Sequence, residues 1–425
     1  MSPIPREVVV IVDPVRAGTR IPQLFNGQGY RCVSVLSDES VSDFWRASFR
    51  PQDFLHTFHE ADGIESILAG LSAYEVACVL PGGESGVNLA SRLGERLSGQ
   101  PSLDPATAAA RRDKYHMAET LRSRGLAAIP HCRTADIEVA LDWLRARPDP
   151  HVVVKPLAGT SAEGVHFCDS AEAVRRAFSD LQGSVSLFGE VNQDVLVQQD
   201  ILHGGGVEYT VNSASSRGRH HITDIWRMRR EMVGATAVCV YSDLVHPDEP
   251  EHPALVAYCA DVLTALGVRD GVGHSEIMLT RDGPVLIETG TRIEGACDPA
   301  IALQLTGHSQ NSLLVPAYLD PQGFGHAITR PWPQPARQAR HVYLLCPVAG
   351  PVVNPPDFGP IRRLPSFAGL DTTLDAVPAL QPTVNLATCP GNLYLVAADR
   401  DRIEEDYAAL RDLEKALYGR MLGAA

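Results

Sequence analysis

Apolar positions along this chain follow three patterns, and each pattern predicts a different element. Val8–Val12, Arg31–Val35 and Val76–Leu80 are nearly continuous apolar runs, the mark of strands buried on both faces of a parallel sheet. Helix-length segments separate them, so the opening of the chain predicts a doubly wound α/β unit. Periodic stretches follow: Asp104-Pro105 reads as the N-cap and first-position proline of one helix, and a further helix runs from Asp113 to about Arg124 and stops at Gly125. His151–Lys155 reads as a buried strand ending on a lysine, and Val195–Gln199 and Glu208–Asn212 as strands joined by the turn Gly204–Gly206. Proline, glycine and glutamine gather over 319–340 and mark a boundary. Strand-like runs at His341–Cys346 and Leu393–Ala397 follow. An amphipathic helix over about 402–418, with Ile403, Leu410, Leu413 and Leu417 on one stripe, closes the chain.

Strict alternation, the third pattern, is clearest from His274 to Arg292. Arg281-Asp282-Gly283 suits a three-residue hairpin loop with glycine in the left-handed position. That loop sets Ile277 opposite Ile287, Leu279 opposite Val285 and Glu276 directly opposite Glu288. One face of the hairpin is then aliphatic, and the other carries His274, both glutamates and, just beyond, Arg292. Like charges directly opposite on a sheet are destabilising. A divalent cation reverses the sign, and Mg²⁺ favours one or two carboxylates plus phosphate oxygens. The plain alternative is an amphipathic hairpin with a solvated acidic face.

Bulk properties narrow the setting. The 425 residues are long for one core, so several subdomains are expected. A net charge of −14 argues against nucleic acid and anionic membrane surfaces as partners. No apolar run reaches transmembrane length, and the N-terminus lacks a basic-then-apolar signal pattern. Nine scattered cysteines without a Cys-x-x-Cys pair suit free thiols, so a cytoplasmic location is expected. Gly27-Gln-Gly29 lacks the third glycine of a dinucleotide fingerprint. Glu84, in Pro81-Gly-Gly-Glu-Ser-Gly86, follows the third strand at an edge where such sheets bind ligands. It is a candidate grip for a substrate amine, or simply part of a polar turn before a helix over 87–97.

Lys155 ends an apolar strand just before a loop of glycine, serine and threonine, where backbone N–H groups can cradle phosphate and the lysine adds a point charge. The loop is not a Walker A motif. Lys114, in a first helical turn, reads on its own as a surface residue. Met228 and Met232 read as packing residues. Arg227, Arg229 and Arg230 could reach phosphate, with a solvated cluster the safer reading for at least two of them.

Order and spacing sharpen these choices. Arg112-Asp-Lys114-Tyr-x-Met117, Val153-Val-Lys155-Pro-x-x-Gly-x-Ser161-x-x-Gly164, Gln198-Gln199-Asp-Ile201 followed by Glu208, His274-Ser-Glu276 and Glu288-x-x-x-Arg292 occur in that order. Over residues 76–315 this series resembles the ATP-grasp superfamily, and it looks most like the dipeptide-forming members of the carboxylate–amine ligase branch. The resemblance implies an N-terminal α/β domain (1–109), two α+β subdomains gripping ATP (110–194 and 195–318, the second with the metal hairpin) and a C-terminal α+β lobe (319–425).

It also implies residue roles. Lys114 and Lys155 contact ATP phosphates, and Ser161 lies in the covering loop. Gln198, Gln199 and Ile201 form the adenine-binding hinge, and Glu208 holds the ribose. Glu276 and Glu288 hold Mg²⁺, with Mn²⁺ as an alternative, and Arg292 stabilises the reacting carboxyl or phosphoryl oxygens. Glu84, Arg227 and His274 are candidate substrate contacts. Many members carry an Asn two residues after the second glutamate; Gly290 stands there in this chain. The expected activity joins a small carboxylate, such as an amino acid, to an amine through an acylphosphate, releasing ADP and phosphate. Transfer to a stable phosphorylated product and mere nucleotide binding are the competing expectations. The partners are small molecules, and a homodimer is compatible with this reading.

Overall fold

A computed structural model describes residues 7–37, 46–97, 103–159, 163–186, 189–233, 236–385 and 388–423. The three apolar runs are strands β1 (Glu7–Val12), β2 (Arg31–Leu36) and β4 (Glu75–Pro81), and β3 (Thr57–His59) adds an edge. They form a parallel sheet in the order β3-β2-β1-β4. Alternate residues of β1 enter different cores, as a strand's period of two requires. Val8, Val10 and Val12 pack with the helices Ile64–Leu71 and Gly86–Arg96. Val9 and Ile11 share a core with Ile21 and Phe25, and with Leu313, Leu314 and Tyr318 of a helix far along the chain, Gln310–Leu319. The N-terminal sheet is thereby fastened to the centre of the molecule, with its carboxyl edge turned towards the glutamate hairpin.

A second, antiparallel sheet joins β5 (His131–Thr134), β6 (Val152–Pro156), β7 (His166–Cys168) and β8 (Val195–Gln199) in the order β5-β8-β6-β7. Helices Ile137–Arg145 and Ala171–Leu181 cover it. Val195–Gln199 therefore pairs with the strands before it, Lys155 opposite Leu196, so sheet pairing divides the two subdomains after β8 and not at the expected residue 195.

The largest sheet runs β13-β12-β9-β10-β11-β14-β18-β16. Its strands are β9 (Val207–Ser216), β10 (Arg219–Val233), β11 (Thr236–Leu244), β12 (Gly271–Thr280), β13 (Gly283–Gly290), β14 (Gln338–Tyr343), β16 (Phe367–Thr372) and β18 (Gly391–Ala397). A small pair, β15 (Gly350–Pro351) with β17 (Ala379–Leu380), stands apart. β14 hydrogen-bonds directly to β11. The C-terminal lobe thus continues the central sheet, with the closing helix Arg400–Met421 packing Ile403, Leu410 and Leu417 into the lobe's core.

The expected helix after Asp113 is Lys114–Ser123, and the Asp113 carboxylate accepts from the Tyr115 and His116 amides, a capping arrangement. Gly125 ends it with φ +75°, in the left-handed region that favours glycine. Met117 and Leu121 of this helix pack in one core with Ile277 and Leu286 of the hairpin and Leu255, Cys259 and Val262 of the helix His252–Ala265. Asp104-Pro105 opens only a short 3-10 turn, Pro105–Thr107.

Candidate active site

The central sheet carries the site on one face. Across β10, β9, β12 and β13, Asp224 sits opposite Asn212, Asn212 opposite His274, and His274 opposite Gly290. One step along, Trp226 is opposite Thr210, Thr210 opposite Glu276, and Glu276 opposite Glu288. Between these rows the side chains of Val211 and Ile225, and just past them that of Ile277, point the other way, into the core. The expected pairing of Glu276 with Glu288 is therefore present.

The rest of the hairpin register is not as expected. A bulge follows Glu276, so Ile277 faces Leu286 and Met278 faces Val285, and the ladder closes at Thr280 opposite Gly283. Ile287 is the extra residue, partly exposed. Nor is the inward face wholly aliphatic, because Ser275 and Thr289 share a buried hydrogen bond of 2.8 Å. Alternation gives the right face to each glutamate but carries no sign of a one-residue bulge.

Lys114 reaches Glu288 at 2.8 Å, so it is no surface lysine. Its backbone N–H donates to Leu157 O, tying the helix start to the strand end that bears Lys155. Burial, opposed by Glu288, sets the Lys114 ammonium, and the net direction is upward. Lys155 is 4% exposed and has no ion-pair partner among the described residues. Burial, reinforced by Lys114, pushes its ammonium down to about 8. Burial raises both hairpin carboxylates, but Lys114 pulls Glu288 back below the ordinary range, whereas Glu276 stays raised by burial and by Glu288. Glu276 has only His274, at 3.9 Å, within ion-pair reach among the described residues. Burial drives that imidazole down to about 3, so it is neutral and supplies no charge. A half-buried carboxylate with no lysine or arginine in ion-pair reach among the described residues, opposed by a second, is the donor set a hard divalent ion fits.

Arg292 Nε donates to Glu84 Oε2 at 3.0 Å, and Arg112 donates to the Glu84 carbonyl at 2.9 Å with its guanidinium 3.8 Å from the carboxylate. Glu84, delivered from the N-terminal sheet's edge, thus meets the hairpin end. A Cβ on Gly290 would lie 2.8 Å from Glu84 Oε2. The Glu84 carboxylate accordingly occupies the space a residue-290 side chain would need.

Glu208 is 5% exposed and clasped by Arg230 through both oxygens, at 2.5 and 2.6 Å. The ribose hydroxyl expected here would have only the carboxylate's remaining lone pairs to use. Gln198 is buried, and Gln199 Oε1 accepts from Arg147 at 2.6 Å while its backbone amide donates to Pro130 O. The Ile201 carbonyl accepts from Gly206 N, closing the hinge turn. Ser161 lies outside the described residues. Arg227 is committed to Glu249 and Glu251 and is held off the candidate substrate face. Only Arg229 of the three neighbouring arginines is exposed, because the long strands β9 to β11 partly bury the other two. Asn212, Asp224 and Glu294, the last just beyond Arg292, were not singled out by the motifs. The cross-strand position of Asn212 relative to His274 is a register fact, legible only once β9 and β12 are known to be neighbours.

A family model for the ATP-grasp domain matches residues 149–300. Dapdiamide A synthase of Enterobacter agglomerans is 29% identical over 418 residues, covering 97% of both chains. The L-amino acid ligase of Bacillus licheniformis superposes with a TM-score of 0.72 at 17% identity, over 96% of this chain and 97% of that one. N5-carboxyaminoimidazole ribonucleotide synthetase of Thermus thermophilus gives 0.63 at 16% identity, over 98% of each. Residues 149–300 thus match the ATP-grasp domain, and over nearly its whole length the chain resembles dapdiamide A synthase in sequence and the L-amino acid ligase in architecture.

Proposed function

We propose that this protein is an ATP-dependent ligase joining the carboxylate of one small molecule, an amino acid or related acid, to the amine of another. The observation that carries the reading is the opposed, half-buried Glu276–Glu288 pair with Lys114, Lys155 and Arg292 on the same side of the sheet. Glu276 and Glu288 would hold Mg²⁺ or Mn²⁺, which when bound neutralises phosphate charge. Lys114 and Lys155 draw the terminal phosphate against the acid, whose carboxylate attacks it to give an acylphosphate and ADP. The amine then forms the C–N bond as phosphate leaves. Arg292 faces the oxygen that gains charge in that step, and preorganised cations at such a point supply a large share of catalysis. Gln198, Gln199 and Ile201 seat the adenine, and Glu208 the ribose. Glu84, held by Arg112 and Arg292, is placed to meet the acid substrate's own ammonium. The similarity to dapdiamide A synthase and L-amino acid ligase supports amino acids as substrates.

The test is phosphate release with ATP and Mg²⁺ over a matrix of amino-acid pairs, with products identified by mass. Amide formed in step with ADP is the expected result. ADP release that needs no amine, with a stable phosphorylated acid as product, contradicts it.

A further inference from the structure

His274 stands directly across the hairpin from Gly290. Facing residues of an antiparallel pair send their side chains to the same side. The imidazole therefore shares its row with a position that supplies no side-chain donor. That row lies two residues along the strands from the row of Glu276 and Glu288, roughly 7 Å away. The ring spans most of this distance, and its Nε2 comes within 3.9 Å of Glu276 Oε1.

Asn212 decides which ring nitrogen carries the proton. Its amide Nδ2 donates to Asp224 Oδ1 at 2.7 Å and also to Glu294 Oε2. Turned over, the amide would set its oxygen against both carboxylates, so only the observed orientation satisfies its partners. Asp224 is itself fixed by donors from Thr223 and Trp226 at 2.7 Å each. Asn212 Oδ1 then lies 3.2 Å from His274 Nδ1 and accepts from it. With the proton of the neutral ring on Nδ1, Nε2 presents a lone pair. It makes no hydrogen bond among the described residues, and the atom it faces, Glu276 Oε1, is an acceptor too. The nearby cations are engaged elsewhere: Lys114 on Glu288, and Arg292 on Glu84 and the Ile293 carbonyl. Two acceptors turned on one gap call for a cation between them, and a histidine whose other nitrogen donates to a fixed carbonyl oxygen is prepared to bind one.

We infer that His274 Nε2 is the third protein ligand of the divalent ion, beside Glu276 and Glu288, and that Asn212 is the residue that positions it. The inference rests on the metal seat of the ligase reading. An imidazole donor adds little for Mg²⁺, which prefers oxygen, and more for first-row transition ions, so it tilts the seat towards Mn²⁺.

The probe is Mn²⁺ with ADP on the full chain, read by pulsed electron paramagnetic resonance, with histidine either unlabelled or carrying ¹⁵N. Wild type is expected to show a nitrogen bonded directly to Mn²⁺ whose coupling changes with the histidine isotope, which separates it from the nitrogens of adenine. His274→Leu should abolish that coupling and weaken Mn²⁺ by about tenfold, while Mg²⁺ affinity stays within about twofold. Asn212→Ala should keep the ligand but weaken Mn²⁺ by about tenfold, the usual loss when a partner behind a metal ligand is removed. Mn²⁺ bound in wild type through oxygen alone, with no histidine coupling, overturns the role of His274 and leaves the ligase reading standing. Failure of wild type to bind Mn²⁺ with ADP contradicts the metal seat and this inference together.

Discussion

At position 290 a side chain would begin 2.8 Å from Glu84 Oε2, so any residue but glycine there would have to displace the end of the Glu84 side chain that Arg292 holds. Both residues are plain in the sequence, but their meeting is a contact between segments far apart in the chain, which no local pattern encodes. The charged residues on the hairpin were legible because alternation fixes faces; their partners were not. Glu288→Gln should lower turnover by about two orders of magnitude or more and leave the protein folded, because the ion pair lost with Lys114 is offset by relief of the repulsion from Glu276. Near-normal turnover in a steady-state assay would place the ion elsewhere. Arg292→Ala should keep ATP affinity within a few-fold but lower turnover by roughly two to three orders of magnitude, the usual loss for one oxyanion donor. Arg292→Lys should restore little, because a point charge does not replace a planar fork. Titration calorimetry of ATP with amine-dependent phosphate release separates this from a nucleotide contact, which would weaken binding and spare turnover at saturation.

The hairpin shows where reading by period stops. Its existence, its ends and the opposition of Glu276 to Glu288 follow from alternation and the Asp282-Gly283 turn. The bulge at Ile287 does not, because either register keeps both glutamates on one face. The difference is measurable. Ile277 is fully buried and Leu286 is 5% exposed, both in one core, whereas Ile287 is only partly buried and outside it. Truncation of Ile277 or Leu286 to alanine should cost about 2–5 kcal/mol in denaturant unfolding, and Ile287→Ala clearly less. Equal losses at 277 and 287 would restore the unbulged register. The parallel strands near the N-terminus were legible for a related reason: continuous apolar runs have no competing explanation at that length.

For the molecule as a whole, the pattern did not convey how the sheets are shared, since β8 pairs backwards and β14 extends the central sheet. Buried histidines tie stability to pH across these joints. His341 stacks on Tyr394 and donates to Asn392, and burial pushes it down to about 4; His221 is pushed down similarly. With folded values below the unfolded one, only the unfolded chain takes up protons between about pH 6.5 and 4, so stability falls as pH falls through that window. At pH 5 the loss from His341 alone should be about 2 kcal/mol, and His341→Gln should flatten the pH dependence of unfolding by that amount. The same joints place Glu84, Lys114 and Lys155 from three different segments over one hairpin. That convergence suits a reaction that spends ATP at a divalent ion, and the ligase proposal adds that the product is an amide. The most direct measurement is therefore the stoichiometry of amide, ADP and phosphate with each substrate omitted in turn. Equal amounts of all three, with phosphate release lost without either acid or amine, is the predicted result; ADP accumulating without amide would contradict it.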